Sequence, residues 1–237
     1  MIVGVQGFPR VPVTTAAMNI IAHGNSLTAG EGAGGSPFRY TDIAADILGV
    51  PILNQGVGGQ SIQVMRTSAQ TVVDPNLVSG KLNVLVAWEF TNEVSTNGRN
   101  GTAAHDQWVL YCNARRAAAA AAGKQLHIIS VGLLPAAAGT TTAITNARMA
   151  AMIVADNLLR ANYRTYSDQH VDLAAVEPFK TLYAGADWSH SAFDATGMYN
   201  RFGNGDGSAN DRVHLGRDGY LLVGQVIAQA IRRIRKK

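Results

Sequence analysis

A serine in a small polar turn and a histidine near the far end of the chain are the residues best placed to do chemistry. Ser26 lies in His23-Gly24-Asn25-Ser26-Leu27-Thr28-Ala29-Gly30, directly after an apolar run at Met18 to Ala22. A serine in such a turn is expected to be exposed, flanked by glycine, with backbone N–H groups near enough to stabilise an oxyanion. His214 lies in Asp211-Arg212-Val213-His214-Leu215-Gly216, ahead of a run in which Leu221, Leu222, Val226, Ile227 and Ile231 recur at helical spacing. An aspartate three residues before a histidine can hold the imidazole in one tautomer and stabilise its protonated form. Each segment alone has a plainer reading: a strand-to-helix turn built from turn formers, and an ordinary surface acid and histidine. Together they supply a nucleophile, a base and an orienting acid, the set that nucleophilic acyl transfer requires.

The elements that must position these groups follow from an alternation of short apolar runs with longer helical patterns, the signature of parallel strands joined by crossover helices. Strands are expected at about Met18 to Ala22, Pro51 to Asn54, Leu82 to Ala87 and Leu126 to Val131, with a weaker one near His170 to Ala174. Helices are expected at Phe38 to Leu48, Ser61 to Val73, Ala103 to Ala122, Thr141 to Ala161 and Arg217 to Arg235. The Ala117 to Ala122 run is a helix end, because alanine favours helix and Gly123 follows as a stop. Ligands of open α/β sheets bind at the carboxyl ends of the strands, which is where the Ser26 turn falls.

Phe179 to Phe202 breaks the rhythm, with six of the 16 aromatic residues in an irregular stretch. It is read as a loop packed by its own side chains, with a platform for a sugar or acyl group as the functional alternative. Trp88, Phe90 and Trp188 are the candidate walls of a substrate pocket.

With 237 residues, 47% of them hydrophobic and 15% charged, the chain can bury roughly 70–75% of its unfolded surface. One domain over residues 18–237 is expected, preceded by an arm over residues 1–17 with Gly4, Gly7, Pro9 and Pro12 and no helical period. The formal charge is +4, but five of the 20 basic residues occupy the last six positions. They cap a terminal helix rather than form a groove-sized basic face, which argues against nucleic acid as a partner. The single cysteine, Cys112, excludes an internal disulfide framework and a Cys-rich zinc site. No apolar run reaches the ~18 residues of a membrane span, and no signal peptide is visible, so a cytoplasmic location is the default. Oligomeric state is not legible.

Competing motifs fail on their own terms. Gly30-x-Gly32-x-x-Gly35 starts well beyond the strand, and no Asp or Glu stands between Ile47 and Val73 to bind a ribose. A Gly-x-Ser-x-Gly elbow is lacking. Asn204, Asp206, Asn210 and Asp211 crowd a glycine-rich loop without the spacing of an EF-hand, and are read as a hydrogen-bonded turn.

Four blocks, in order, resemble those of the SGNH, or GDSL-type, serine hydrolases over Met18 to Ile231. Gly24-Asn25-Ser26-Leu27-Thr28 resembles the Gly-Asp-Ser block, Asn54 to Gly59 the Asn-initiated turn ending in glycine, Phe90-Thr91-Asn92-Glu93 the Gly-x-Asn-Asp block, and Asp211 to His214 the final Asp-x-x-His. The resemblance implies a three-layer α/β/α sandwich of flavodoxin-like type with a parallel sheet of about five strands. It implies a nucleophile at Ser26, a base at His214 and an orienting acid at Asp211. The oxyanion hole would be formed by the Ser26 and Gly59 backbone N–H groups and the Asn92 amide, with no metal or organic cofactor. Glycine at 59 is expected to let substrate approach the backbone closely. The substrate would be a small-molecule or carbohydrate ester, with a short acyl group. The alternatives are a lipase or thioesterase of the same family, or a non-catalytic carbohydrate- or partner-binding module.

Three positions depart from the pattern: Asn25 and Glu93 where Asp is usual, and Phe90 where Gly is usual. Phe90 is expected either to narrow the pocket or to turn the backbone so that Asn92 points differently.

Overall fold

The computed structural model describes residues 17–134, 146–177, 179 and 213–234. The apolar runs form five strands: β1 (Met18–Gly24), β2 (Ile52–Gly56), β3 (Leu82–Trp88), β4 (Gln125–Val131) and β5 (Gln169–Val171). Every neighbouring pair is parallel, in the order β2-β1-β3-β4-β5. The central strands are apolar almost throughout because helices cover both faces of the sheet.

Seven helices are described: α1 (Ser26–Ala29), α2 (Tyr40–Leu48), α3 (Ile62–Val72), α4 (Thr91–Ser95), α5 (Gly101–Ala121), α6 (Asn146–Asn162) and α7 (Arg217–Arg232). Successive strand residues point to opposite faces. Ile20, Ala22, Val84 and Val86 therefore enter a core shared with α2 and α7. Ile21, Leu85 and Ala87 enter a second core shared with α3, α5 and α6. The result is the expected three-layer α/β/α sandwich with flavodoxin-like strand order, in which the connections reverse direction between β1 and β3. That reversal opens a crevice at the carboxyl ends of these two strands.

Boundaries shift for local reasons. The expected strand at His170 to Ala174 is confined to β5, because Asp172 turns out to meet Arg160 at 2.7 Å and the chain enters a 3-10 turn at Leu173–Ala175. Helix α5 starts at Gly101, before the expected Ala103, because the Asn100 side chain caps it by accepting the Ala103 N–H. Helix α6 begins at Asn146, with residues 135–145 outside the described region, and α7 ends at Arg232. Residues 1–16 and most of Phe179 to Phe202 also lie outside it. Phe179 itself is buried in the first core. Among the described residues no helix is long and apolar enough to cross a membrane.

Candidate active site

The turn after β1 is held by its own side chains. Asn25 caps α1 by accepting the Leu27 N–H at 2.9 Å, and Ser26 is the first residue of that helix. The Ser26 carbonyl accepts the N–H groups of Gly30 and Glu31 at 2.9 and 3.0 Å, which closes the turn. Asn54, in the middle of β2, donates to the Thr28 carbonyl at 2.7 Å and to Thr41 Oγ1 at 2.9 Å. A Cβ on Gly56 would stand 2.2 Å from the Ala29 nitrogen, so glycine is what lets α1 seat on the end of β2. Under this packing Ser26 is only 7% exposed, a correction to the exposed serine expected of a polar turn.

Gly59 lies in the turn after β2 with φ +72°. Nothing stands within 4 Å of where its Cβ would be, so glycine is required by the left-handed backbone and not by crowding. Asn92 lies in the first turn of α4, after β3. Its Nδ2 donates to the Gln60 carbonyl at 3.1 Å, which joins the second and third strand-end turns. An amide nitrogen carries two hydrogens, so this bond orients the group while the other hydrogen can address a ligand.

Phe90 is a core residue. Its ring points into the second core, 5.1 Å from the Trp108 ring, and is 2% exposed. Trp88 packs into the first core against Tyr40 and is also 2% exposed. Both rings fill core, so neither offers an open face for the pocket role expected of it. Trp188 and Asp211 lie outside the described residues.

Beneath the turns runs a buried polar chain that the sequence did not suggest. His23 Nδ1 pairs with the Tyr111 hydroxyl at 2.9 Å and Nε2 with Gln60 Nε2 at 3.0 Å. Burial, helped by the Arg115 charge, pushes the His23 imidazole down to about 4. The folded protein thus holds His23 neutral, whereas an unfolded chain takes up the proton near pH 6.5. Its contribution to stability is present above pH 6.5 and is lost as pH falls towards 4, by up to about 3 kcal/mol. His23→Gln is expected to reduce that loss. Urea midpoints at pH 7 and pH 4 check it, and equal pH slopes in variant and wild type would count against it.

Two buried acids stand at the head of α4. Glu93 is fully buried, ion-paired to Arg99, and accepts the Gln63 N–H at 3.0 Å. The departure from Asp at this position therefore serves to anchor the start of α3. Glu89 Oε1 accepts from Asn25 Nδ2 at 3.2 Å and from the Asn92 N–H at 2.5 Å, and Oε2 accepts from the Glu93 N–H at 3.3 Å. Burial pushes the Glu89 carboxyl up to about 8, against the pull of these donors. Protonated at Oε2 or ionised, it keeps Oε1 as an acceptor.

His214 comes back to this edge from the other end of the chain. Its Nε2 lies 3.2 Å from Glu31 Oε2, and Glu31 donates its N–H to the Ser26 carbonyl. The Tyr220 hydroxyl of α7 donates to the Glu31 carbonyl at 2.7 Å, so the helix after His214 is tied to the loop after Ser26. Glu31 was not singled out in the sequence, where it reads as one acid in a glycine-rich loop. It is a carboxylate placed to partner the imidazolium that forms when a histidine accepts a proton.

No family model matches the chain, and no curated protein is similar to it in sequence. Solved structures are similar over nearly the whole length. A member of the lipolytic G-D-S-L family from Veillonella parvula superposes with a TM-score of 0.60 at 18% identity, covering 92% of this chain and 100% of the other. The fold is that of the SGNH hydrolases. A lipase/acylhydrolase from Enterococcus faecalis shares the SGNH fold with a TM-score of 0.59 at 16% identity, over 92% and 98% of the two chains. A carbohydrate acetylesterase from Sinorhizobium meliloti gives 0.62 at 14% identity, over 90% and 98%.

Proposed function

We propose that the protein is a serine esterase acting on short-acyl esters, carbohydrate acetyl esters among them. The observation that carries this reading is the joining of the strand-end turns, with Asn92 bonded to Gln60 beside Gly59 and Asn25 bonded to Glu89. Joined turns of this kind support a reading in which Ser26 and the proposed oxyanion donors share one edge of the sheet. The His214 contact with Glu31, five residues beyond Ser26, supports a base at the same edge. The similarity to a carbohydrate acetylesterase from Sinorhizobium meliloti supports the substrate class.

Ser26 Oγ adds to the ester carbonyl carbon while its proton passes to His214. The backbone N–H groups of Ser26 and Gly59 and the Asn92 amide stabilise the oxyanion. Collapse breaks the bond to the alcohol, whose oxygen takes the proton from His214. Water then attacks the acyl-enzyme with His214 again as base, releasing the acid and restoring the serine. Asp211 orients the imidazole.

Hydrolysis of aryl esters of increasing acyl length, together with covalent labelling by a fluorophosphonate, tests the reading. Labelling is expected, with acetyl esters turned over fastest and octanoyl esters slower by about tenfold or more, the scale of a few methylenes rejected by a tight pocket. Preference for long chains would make the protein a lipase. A folded wild type showing neither label nor turnover would replace the enzyme reading with a binding module.

A further inference from the structure

Glu89 is 1% exposed and has no access to substrate, yet it touches both sides of the crevice. One oxygen, Oε1, receives Asn25 Nδ2 from the residue before Ser26 and the main-chain N–H of Asn92. Asn25 spends its other amide atom on the Leu27 N–H that caps α1. An asparagine at 25 is the side chain that can accept from α1 and donate to a carboxyl at once. An aspartate there would cap the helix but meet Glu89 as acid against acid. The main-chain alternatives are spent as well, because the Asn25 carbonyl accepts from Thr28 and Ala29.

We propose that Glu89 is a positioning residue that locks the turn carrying Ser26 to the turn carrying Asn92, setting the distance between nucleophile and oxyanion donor. The proposal rests on the serine esterase reading. Its physical basis is that a displacement of about 1 Å between reacting groups can cost about 100-fold in rate, and this single oxygen spans 64 residues of sequence to prevent one.

The test compares kcat and KM for an aryl acetate across four proteins: wild type, Glu89→Met, Glu89→Gln and Asn25→Asp, with Asn25→Asp/Glu89→Gln completing a cycle. Methionine keeps the length and removes the acceptors, so kcat is expected to fall by about 10- to 100-fold with KM within about twofold. Glutamine can keep its carbonyl at the Oε1 position and is expected to stay within about fivefold of wild type. Asn25→Asp is expected to lose at least about tenfold in kcat, and the double variant to lose less than the product of the two single losses, because the acid-against-acid contact is gone while the atom at the Oε1 position still has to accept the Asn92 N–H; that non-additivity is one that separate sites would not show. If Glu89→Met does not fold, the Asn25 cycle carries the test by itself. A purely structural role predicts lower melting temperatures with kcat unchanged in the folded variants, and that outcome overturns the proposal, as does an Asn25→Asp variant with wild-type kcat. A wild type that neither turns over nor takes the fluorophosphonate fails at the esterase reading itself. A wild type that does both, beside an unaffected Glu89→Met, fails only here.

Discussion

Ser26→Ala is expected to lower kcat on an aryl acetate by about 10⁴-fold or more and to abolish labelling by a fluorophosphonate, while the melting temperature changes little. In the proposed mechanism the oxygen removed is the one that forms the covalent bond, and no other hydroxyl in the α1 turn can replace it. Thr28 is the nearest candidate, but its Oγ1 is buried and accepts from the Tyr40 hydroxyl at 3.3 Å. His214→Ala has a loss of similar size, because an unassisted serine hydroxyl is a weak nucleophile at neutral pH. Nucleophile and base act as one unit, so the double variant falls no further than Ser26→Ala by more than about threefold. Steady-state rates and label incorporation check all three. A Ser26→Ala protein with more than about a tenth of wild-type turnover would move the nucleophile elsewhere.

Asn92→Ala is expected to lower kcat by about 10²–10³-fold, or about 2.7–4 kcal/mol, with KM nearly unchanged. In the proposed mechanism the amide donates to charge that develops only in the transition state, so its loss acts on the chemical step and not on ground-state binding. The structure adds a reason to expect the upper part of that range. Asn92 Nδ2 is held by the Gln60 carbonyl, and the Gln60 side chain is held by His23, so the donor is fixed in place before substrate arrives. A loss appearing mainly in KM would show that Asn92 binds substrate without stabilising the oxyanion.

Much of the candidate site is written in short-range signals. Ser26, Gly59 and Asn92 each follow an apolar run by a few residues, and turn formers there mark the carboxyl end of a strand. His214 was legible by its place before a periodic helix. The departures from the usual residues were visible as letters, but their meaning was not. Asn25 makes sense only beside Glu89, and Glu93 only beside Arg99 and the start of α3.

Trp88 and Phe90 show where sequence proximity misleads. Both stand within four residues of Asn92 in the chain, yet the end of β3 and the entry to α4 send their rings into opposite cores. Adjacency says which residues are near the crevice, not which way they face.

The amino-acid order alone determined the strand-and-helix alternation, the parallel sheet and the three turns at its rim, since these depend on local periodicity and backbone preference. The tertiary structure decided that Glu31 meets His214, that Glu89 bridges Asn25 and Asn92, and that Ser26 is enclosed. Each of these is a contact between segments brought together by the sheet, made by polar side chains whose partners, once buried, had to be supplied from across the fold.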